Sequence, residues 1–232
     1  MTTIRPRTAA ALAAVAALAV VPAAARAQGA GGVVTPVAVP AALPETASGG
    51  GVELTMPPDA TVEQPLLVHG TADASAAGHR VKLQRQNPRT LAWKKVTGAR
   101  VQPDGTFTER WKPRHIGQFA LRAVLHGASA PLPVTVYRPS LATWYGPGFW
   151  GNQTACGIVL TPDLLGVAHR TLPCGTPVAI DYEGRSIVVP VIDRGPYGVA
   201  GADWDLTQAT AFTLGMSETS TVGALRLKPT TH

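Results

Sequence analysis

A glycine or proline interrupts this chain about once in every five residues, with 24 Gly and 21 Pro among 232. A proline removes a backbone donor, and a glycine in a helix interior costs about 1 kcal/mol relative to alanine. No heptad or long helical run survives that spacing, which excludes helical bundles, coiled coils and helical repeats. Hydrophobic residues make up 45%, which excludes a wholly disordered chain. What remains is turn-rich β structure, in one or two domains for a chain of this length.

Residues 1–27 read as a targeting segment. Arg5 and Arg7 form a basic start, Ala9 to Val21 is an unbroken apolar run of 13 residues, and Ala25-Arg26-Ala27 has the small-x-small pattern of a cleavage site. The run is too short to span a bilayer, which takes about 20 residues, and Pro22 ends it. The expectation is a secretory signal peptide, no membrane span, and a secreted mature protein.

Removing that segment takes away Arg5, Arg7 and Arg26 and lowers the formal net charge from +6 to +3. The remaining charge is uneven. Residues 52–138 carry 12 Lys and Arg against 6 Asp and Glu, while residues 139–232 carry 5 against 7. A basic module beside a mildly acidic one points to attachment by the first, to anionic polymers, and chemistry by the second. Scattered charges that only solvate strand faces are the plainer alternative. Basic-aromatic motifs of the nucleic-acid type are missing, so no nucleic acid is expected as partner.

Cys156 and Cys174 are the whole cysteine complement. In an exported chain an even pair most simply forms one disulfide, and two ligands do not complete a zinc site. Closing a loop of about 18 residues stabilises by about 3 kcal/mol in the chain-entropy model. No metal or organic cofactor is implied.

Along the chain, residues 28–51 hold Pro36, Pro40, Pro44 and Gly49-Gly50-Gly51 without sustained periodicity and read as a flexible linker. Residues 52–138 alternate at period 2 and predict seven short strands, 52–56, 65–70, 79–86, 91–97, 105–112, 117–125 and 131–137, with Asp104-Gly105 as a hairpin signal. Seven strands in under 90 residues predict an immunoglobulin-like β-sandwich. Arg138-Pro139-Ser140 reads as a domain boundary. In residues 141–232, strands are predicted at 141–145, 176–182, 185–192 and 222–228, with one short helix over Leu206 to Met216, which suggests a small barrel. The fold class is thus mainly β.

The second domain carries an ordered set of motifs: Ala142-Thr143-Trp144-Tyr145-Gly146-Pro147-Gly148; Thr154-Ala155-Cys156-Gly157; Val167-Ala168-His169-Arg170 leading to Cys174-Gly175-Thr176; Val191-Ile192-Asp193-Arg194-Gly195-Pro196-Tyr197; and Trp204-Asp205-Leu206-Thr207. In that order, over about 141–228, they resemble the rare lipoprotein A-like domain. The family has the double-psi β-barrel fold, related to expansins and to a class of lytic transglycosylases. The resemblance implies peptidoglycan as target, with two functions open: a lytic transglycosylase, or an expansin-like protein that binds polysaccharide without cleaving it.

Cleaving a glycosidic bond by hydrolysis ordinarily takes two carboxyl groups. A lytic transglycosylase manages with one, because the sugar's own C6 hydroxyl attacks and no water need be activated. Asp193 is the first candidate acid: it ends the apolar run Ile187 to Ile192, so a strand delivers it from a dry interior to a groove. Asp205 is the second, in competition with a role as N-cap of the helix that follows. By resemblance His169 lies at the groove, to orient an acid or donate to a sugar hydroxyl. Tyr145, Phe149, Trp150, Tyr197 and Trp204 cluster around the motifs. Of these, Tyr145, Trp150, Tyr197 and Trp204 are the candidates to hold a sugar ring, while Trp144 reads as packing. One departure bears on activity. Where peptidoglycan-cleaving relatives carry a Glu and an Asp before the motif histidine, this chain has Ile158 and Thr161, with Asp163 out of register.

Overall fold

The computed structural model describes residues 38–228, so the expected signal peptide lies outside the described residues. In chain order the strands are β1 (Glu45–Gly49), β2 (Val52–Met56), β3 (Asp59–Thr61), β4 (Leu66–Ala72), β5 (Arg80–Gln86), β6 (Trp93–Arg100), β7 (Thr106–Trp111), β8 (Gly117–Val124), β9 (Leu132–Tyr145), β10 (Val167–Ala168), β11 (Pro177–Tyr182), β12 (Arg185–Asp193) and β13 (Ala202–Thr207). The helix α1 (Gln208–Thr213) and the last strand, β14 (Ser220–Arg226), follow. Among the described residues no helix is long and apolar enough to cross a membrane.

The seven strands expected in 52–138 are present, and β1 and β3 join them. One sheet runs β1-β2-β4-β7; the other places β9, β8, β5 and β6 side by side, with β3 parallel to β9. Period-2 alternation turns one face of each sheet inward. Leu54, Val68 and Phe107 from the first meet Leu83, Leu121 and Val134 from the second in a single apolar core.

Part of the expected linker is not a tether. Glu45–Gly49 pairs with Val52–Met56, and Gly50-Gly51 is the two-residue turn between them, with φ of 59° and 76°. Two consecutive positive φ values make the hairpin turn that matches strand twist, and glycine adopts them without a Cβ clash. Gly50 is needed for a second reason: a Cβ there would sit 2.2 Å from the carbonyl carbon of Gly127. Asp104-Gly105 does turn the chain, with Asp104 accepting from the Thr106 amide at 2.9 Å. It joins β6 to β7 in the opposite sheet, however, so it is not a hairpin between paired strands.

The expected boundary at Arg138-Pro139-Ser140 falls inside β9, which runs unbroken for 14 residues. Its first half pairs with β8 and its second with β14 and β13. Proline's fixed φ is compatible with an extended strand; only its missing N–H is lost from the ladder.

The second half closes on itself. The pairing order β13-β10-β12-β11-β14-β9 returns to its start because β9 also pairs with β13, giving a six-stranded barrel. Two of its pairings, β10 with β12 and β13 with β9, are parallel. The interior is filled by side chains, among them Val167, Ile180, Val191, Leu206 and Val222, and Leu214 and Met216 after α1 plug one end.

Candidate functional site

The two-residue strand β10 organises the site. It lies between β12 and β13, and Ala168 is the register partner of both Asp193, on the parallel side, and Asp205, on the antiparallel side. A register shift lies between Val167 and Ala168, and both carboxylates line the same cleft on one side of the barrel. A cleft of about 180 Å³ opens there, lined by Asp193, Asp205, Ala168, Tyr145, Phe149 and Arg194 among others. Asp193 and Asp205, expected separately from two motifs, share this site.

Asp205 is half-buried on β13, and its Oδ1 accepts from the Thr143 hydroxyl at 2.7 Å. Burial raises its pKa, the Thr143 hydrogen bond opposes the rise, and the Asp193 charge adds to it. Asp205 is not the helix N-cap. Thr207 holds that place and accepts from the Thr210 amide at 3.3 Å, so α1 begins two residues later than predicted and leaves Asp205 free for the cleft. The strand alternation of β13 was masked by the strong capping preference of aspartate.

Asp193 ends β12, and its Oδ1 accepts two backbone amides, Ala155 and Arg194, each at 2.8 Å. These fix the carboxyl group and tie the Thr154-Ala155-Cys156-Gly157 loop to the strand end. The Arg194 guanidinium does not pair with its neighbour's carboxylate. It donates to the carbonyls of His169 at 3.4 Å and Asp193 at 3.3 Å and reaches the Cys174 sulfur at 3.5 Å. Cys156 and Cys174 form the disulfide, with Cα atoms 5.8 Å apart, and staple the loop that carries Ala155 to the segment after β10.

His169 does not line the cleft. Side chains alternate along a strand, so the residue after Ala168 turns to the other face. Its Nδ1 accepts from the amides of Thr171 and Leu172, both at 3.1 Å, which puts the proton of the neutral ring on Nε2. Burial lowers its pKa, against the pull of Asp203 and with the help of Arg170 and Arg194. The ring packs on Trp204 with centroids 4.6 Å apart. Trp204 is 7% exposed and belongs to the barrel core, so it is a packing residue and not a sugar platform.

Tyr145 lines the cleft as expected. Its hydroxyl is buried with no partner in good hydrogen-bond geometry. Burial, then the charges of Asp193 and Asp205, hold its pKa above the ordinary tyrosine value. Phe149 stands edge-on to it at 6.3 Å and is 56% exposed, the more open aromatic of the two. Trp150 and Tyr197 are exposed but outside the cleft walls. Trp144 packs against Phe212 and donates its indole N–H to the Ser217 carbonyl. Sequence reasoning missed Thr143 as the partner of Asp205, although the two occupy paired positions on β9 and β13. It named Phe149 only as one of the aromatics near the motifs and Thr154 only as a motif residue, and passed over Asn152, because all three lie in a loop without periodicity.

At the positions where an acid was absent, Ile158 is 40% exposed. Thr161 donates to the exposed Asp163 at 2.6 Å, the main cause of that carboxyl's lowered pKa. Asp163 is not among the cleft residues.

Residues 140–226 match the family model described as Lytic transglycolase. A protein of Synechocystis named probable endolytic peptidoglycan transglycosylase RlpA is 43% identical over 89 residues, which are 38% of this chain and 27% of the relative. One of Aquifex aeolicus with the same name is 44% identical over 82 residues, 34% of this chain and 36% of the relative. The endolytic peptidoglycan transglycosylase RlpA of Yersinia pestis is 43% identical over 84 residues, 35% and 23%. The chain thus spans about a quarter to a third of the length of these curated relatives. The ordered motifs, the closed six-stranded barrel and these matches agree, and residues 140–226 are a rare lipoprotein A-like double-psi β-barrel domain.

Proposed function

We propose that this protein acts on peptidoglycan glycan strands as a lytic transglycosylase, with Asp205 as the proton donor. The observation that carries this is the pair Asp205 and Asp193 lining one cleft with Ala168, where burial and the Asp193 charge both raise the pKa of Asp205. A general acid works best when it stays protonated near the operating pH, and burial together with a neighbouring negative charge favours that form. Asp205 gives its proton to the glycosidic oxygen as the bond from C1 breaks. The C6 hydroxyl of the same sugar bonds to C1 and passes its proton to the Asp205 carboxylate, which closes an anhydro ring and restores the acid. Asp193, fixed by two amides, faces the positive charge that develops at C1. Tyr145 and Phe149 supply the apolar surface for the sugar ring.

One observation favours a binding-only, expansin-like reading: the loop beside the cleft carries Ile158 and Thr161 and brings no third carboxylate. Digestion of intact and stem-stripped peptidoglycan, with mass spectrometry of the products, separates the two. Anhydro-ended sugars from wild type, reduced about 100-fold or more in Asp205→Asn, support the enzyme reading. Glycan binding without released fragments replaces it with the binding-only one.

The remaining organisation fits the same reading. Two sheets around one core, with β3 parallel to β9 and β7 on the opposite sheet from β6, support an immunoglobulin-like sandwich for residues 52–138. Export by residues 1–27 and a place in or near the wall follow from the substrate. The disulfide is consistent with that compartment.

A further inference from the structure

Far from the motif residues, β6 and β7 are the outer strands of the two N-terminal sheets, and a cleft of about 480 Å³ opens where they meet. Its walls carry Arg85, Lys94, Lys95, Arg110, Lys112 and Arg114, and no acidic residue. Among the described residues only Lys112 of these has an ion-pair partner, Glu63 at 3.3 Å.

The strand register makes the clustering unfavourable for the empty protein. Arg85 on β5 stands directly opposite Lys94 on β6, and like charges at such a position oppose strand pairing. Consecutive Lys94 and Lys95 on β6 are both exposed, and a register shift at Val96 follows them. The Nε of Arg85 is buried and has no hydrogen-bond partner, although its guanidinium is held in place over the Phe119 ring at 4.6 Å. The cations of the cleft have only one another and no carboxylate in its walls, an arrangement that a bound anion would relieve.

We propose that this cleft binds a linear, base-free polyanion carrying closely spaced phosphate groups. Six cations in one cleft call for a denser row of charge than one carboxylate per sugar supplies. Guanidinium forks and lysine point charges are the two ways proteins hold phosphate oxygens. Trp111 is the one tryptophan, tyrosine or phenylalanine in the walls and is 5% exposed, which leaves the exposed His115 imidazole as the one open ring there and no row of rings for successive nucleobases to stack on. The site is independent of the glycan cleft and gives a location to the attachment that net charge alone suggested.

The test is calorimetric titration of the whole protein with long-chain inorganic polyphosphate at several salt concentrations. Lys94→Gln/Lys95→Gln/Arg114→Gln is expected to weaken binding at least about ten-fold and to reduce the slope of log K against log salt by about 2–3, somewhat under one for each of the three lost contacts. The charge-matched control Lys82→Gln/Arg89→Gln/Arg138→Gln changes exposed residues outside the cleft and is expected to bind like wild type. If the triple variant does not fold, Arg114→Gln alone carries the test, with a slope change of about 1. Equal losses in variant and control overturn the site. Equal affinity for polygalacturonate overturns the phosphate assignment. Tighter binding of a single-stranded oligonucleotide than of polyphosphate overturns the base-free assignment in favour of nucleic acid.

Discussion

Replacing Asp181 by asparagine is expected to make this protein more stable at neutral pH. Asp181 lies on β11 of the barrel and faces Asp59 of β3 across a cleft of about 270 Å³ that holds none of the motif residues. Its Oδ2 is buried without a hydrogen-bond partner. Burial, then the charge of Asp59, push its carboxyl up to about 6, with the Gly184 backbone opposing weakly. Asp59 is likewise raised, chiefly by burial, although the Tyr137 hydroxyl donates to it at 3.0 Å. The folded pKa of Asp181 lies above the unfolded value near 4, so the folded state holds the proton longer. The stability this gives is complete below about pH 4 and lost as pH rises through about 6. In full shelter from water, keeping the charged form would cost about 3 kcal/mol. The side chain is only half-buried, and solvent screening reduces the figure to about 1 kcal/mol. Asp181→Asn removes the charge at nearly constant shape and relieves Asp59 as well. Thermal unfolding of both proteins between pH 4 and 8 is the assay. The variant should match wild type near pH 4 and melt about 2–4 °C higher at pH 7. A variant that melts lower than wild type at pH 7, or a difference that does not change with pH, would refute the reasoning.

Three further outcomes follow from the barrel. Thr143→Val removes the hydrogen bond that opposes the raised pKa of Asp205; the alkaline limb of any glycan-cleaving activity should move to higher pH, and an unmoved profile argues against Asp205 as the acid. Reducing Cys156–Cys174 releases a loop with a sequence separation of 18 and should lower stability by about 3 kcal/mol, read as a fall in melting temperature against a Cys156→Ser/Cys174→Ser control. Phe149→Ala should weaken glycan binding more than Tyr197→Ala, because Phe149 lines the cleft and Tyr197 does not; the reverse order in a pull-down with purified peptidoglycan would move the sugar site outward.

Local rules carried much of this protein. Runs of strand character located seven strands of 52–138 and four of the second half, but not β1, β3, β10 or β13. Cysteine count led to the disulfide, and motif order led to the barrel family. The failures came where two local signals competed and a distant partner chose between them. Gly49-Gly50-Gly51 reads as part of a tether; β2 pairing with β1 made Gly50-Gly51 a turn. Pro139 reads as a break; pairing on both sides keeps β9 extended through it. Asp205 and Thr207 both suit an N-cap, and the closure of β9 on β13 drew Asp205 into a strand. The site itself is wholly tertiary. Asp193 and Asp205 are brought together by Ala168, a residue without functional chemistry of its own, because strand β10 is two residues long and pairs on both edges. Register is set by long-range hydrogen bonds and barrel closure. The chain alone therefore determined which side chains were available, and only the folded sheet decided which of them meet.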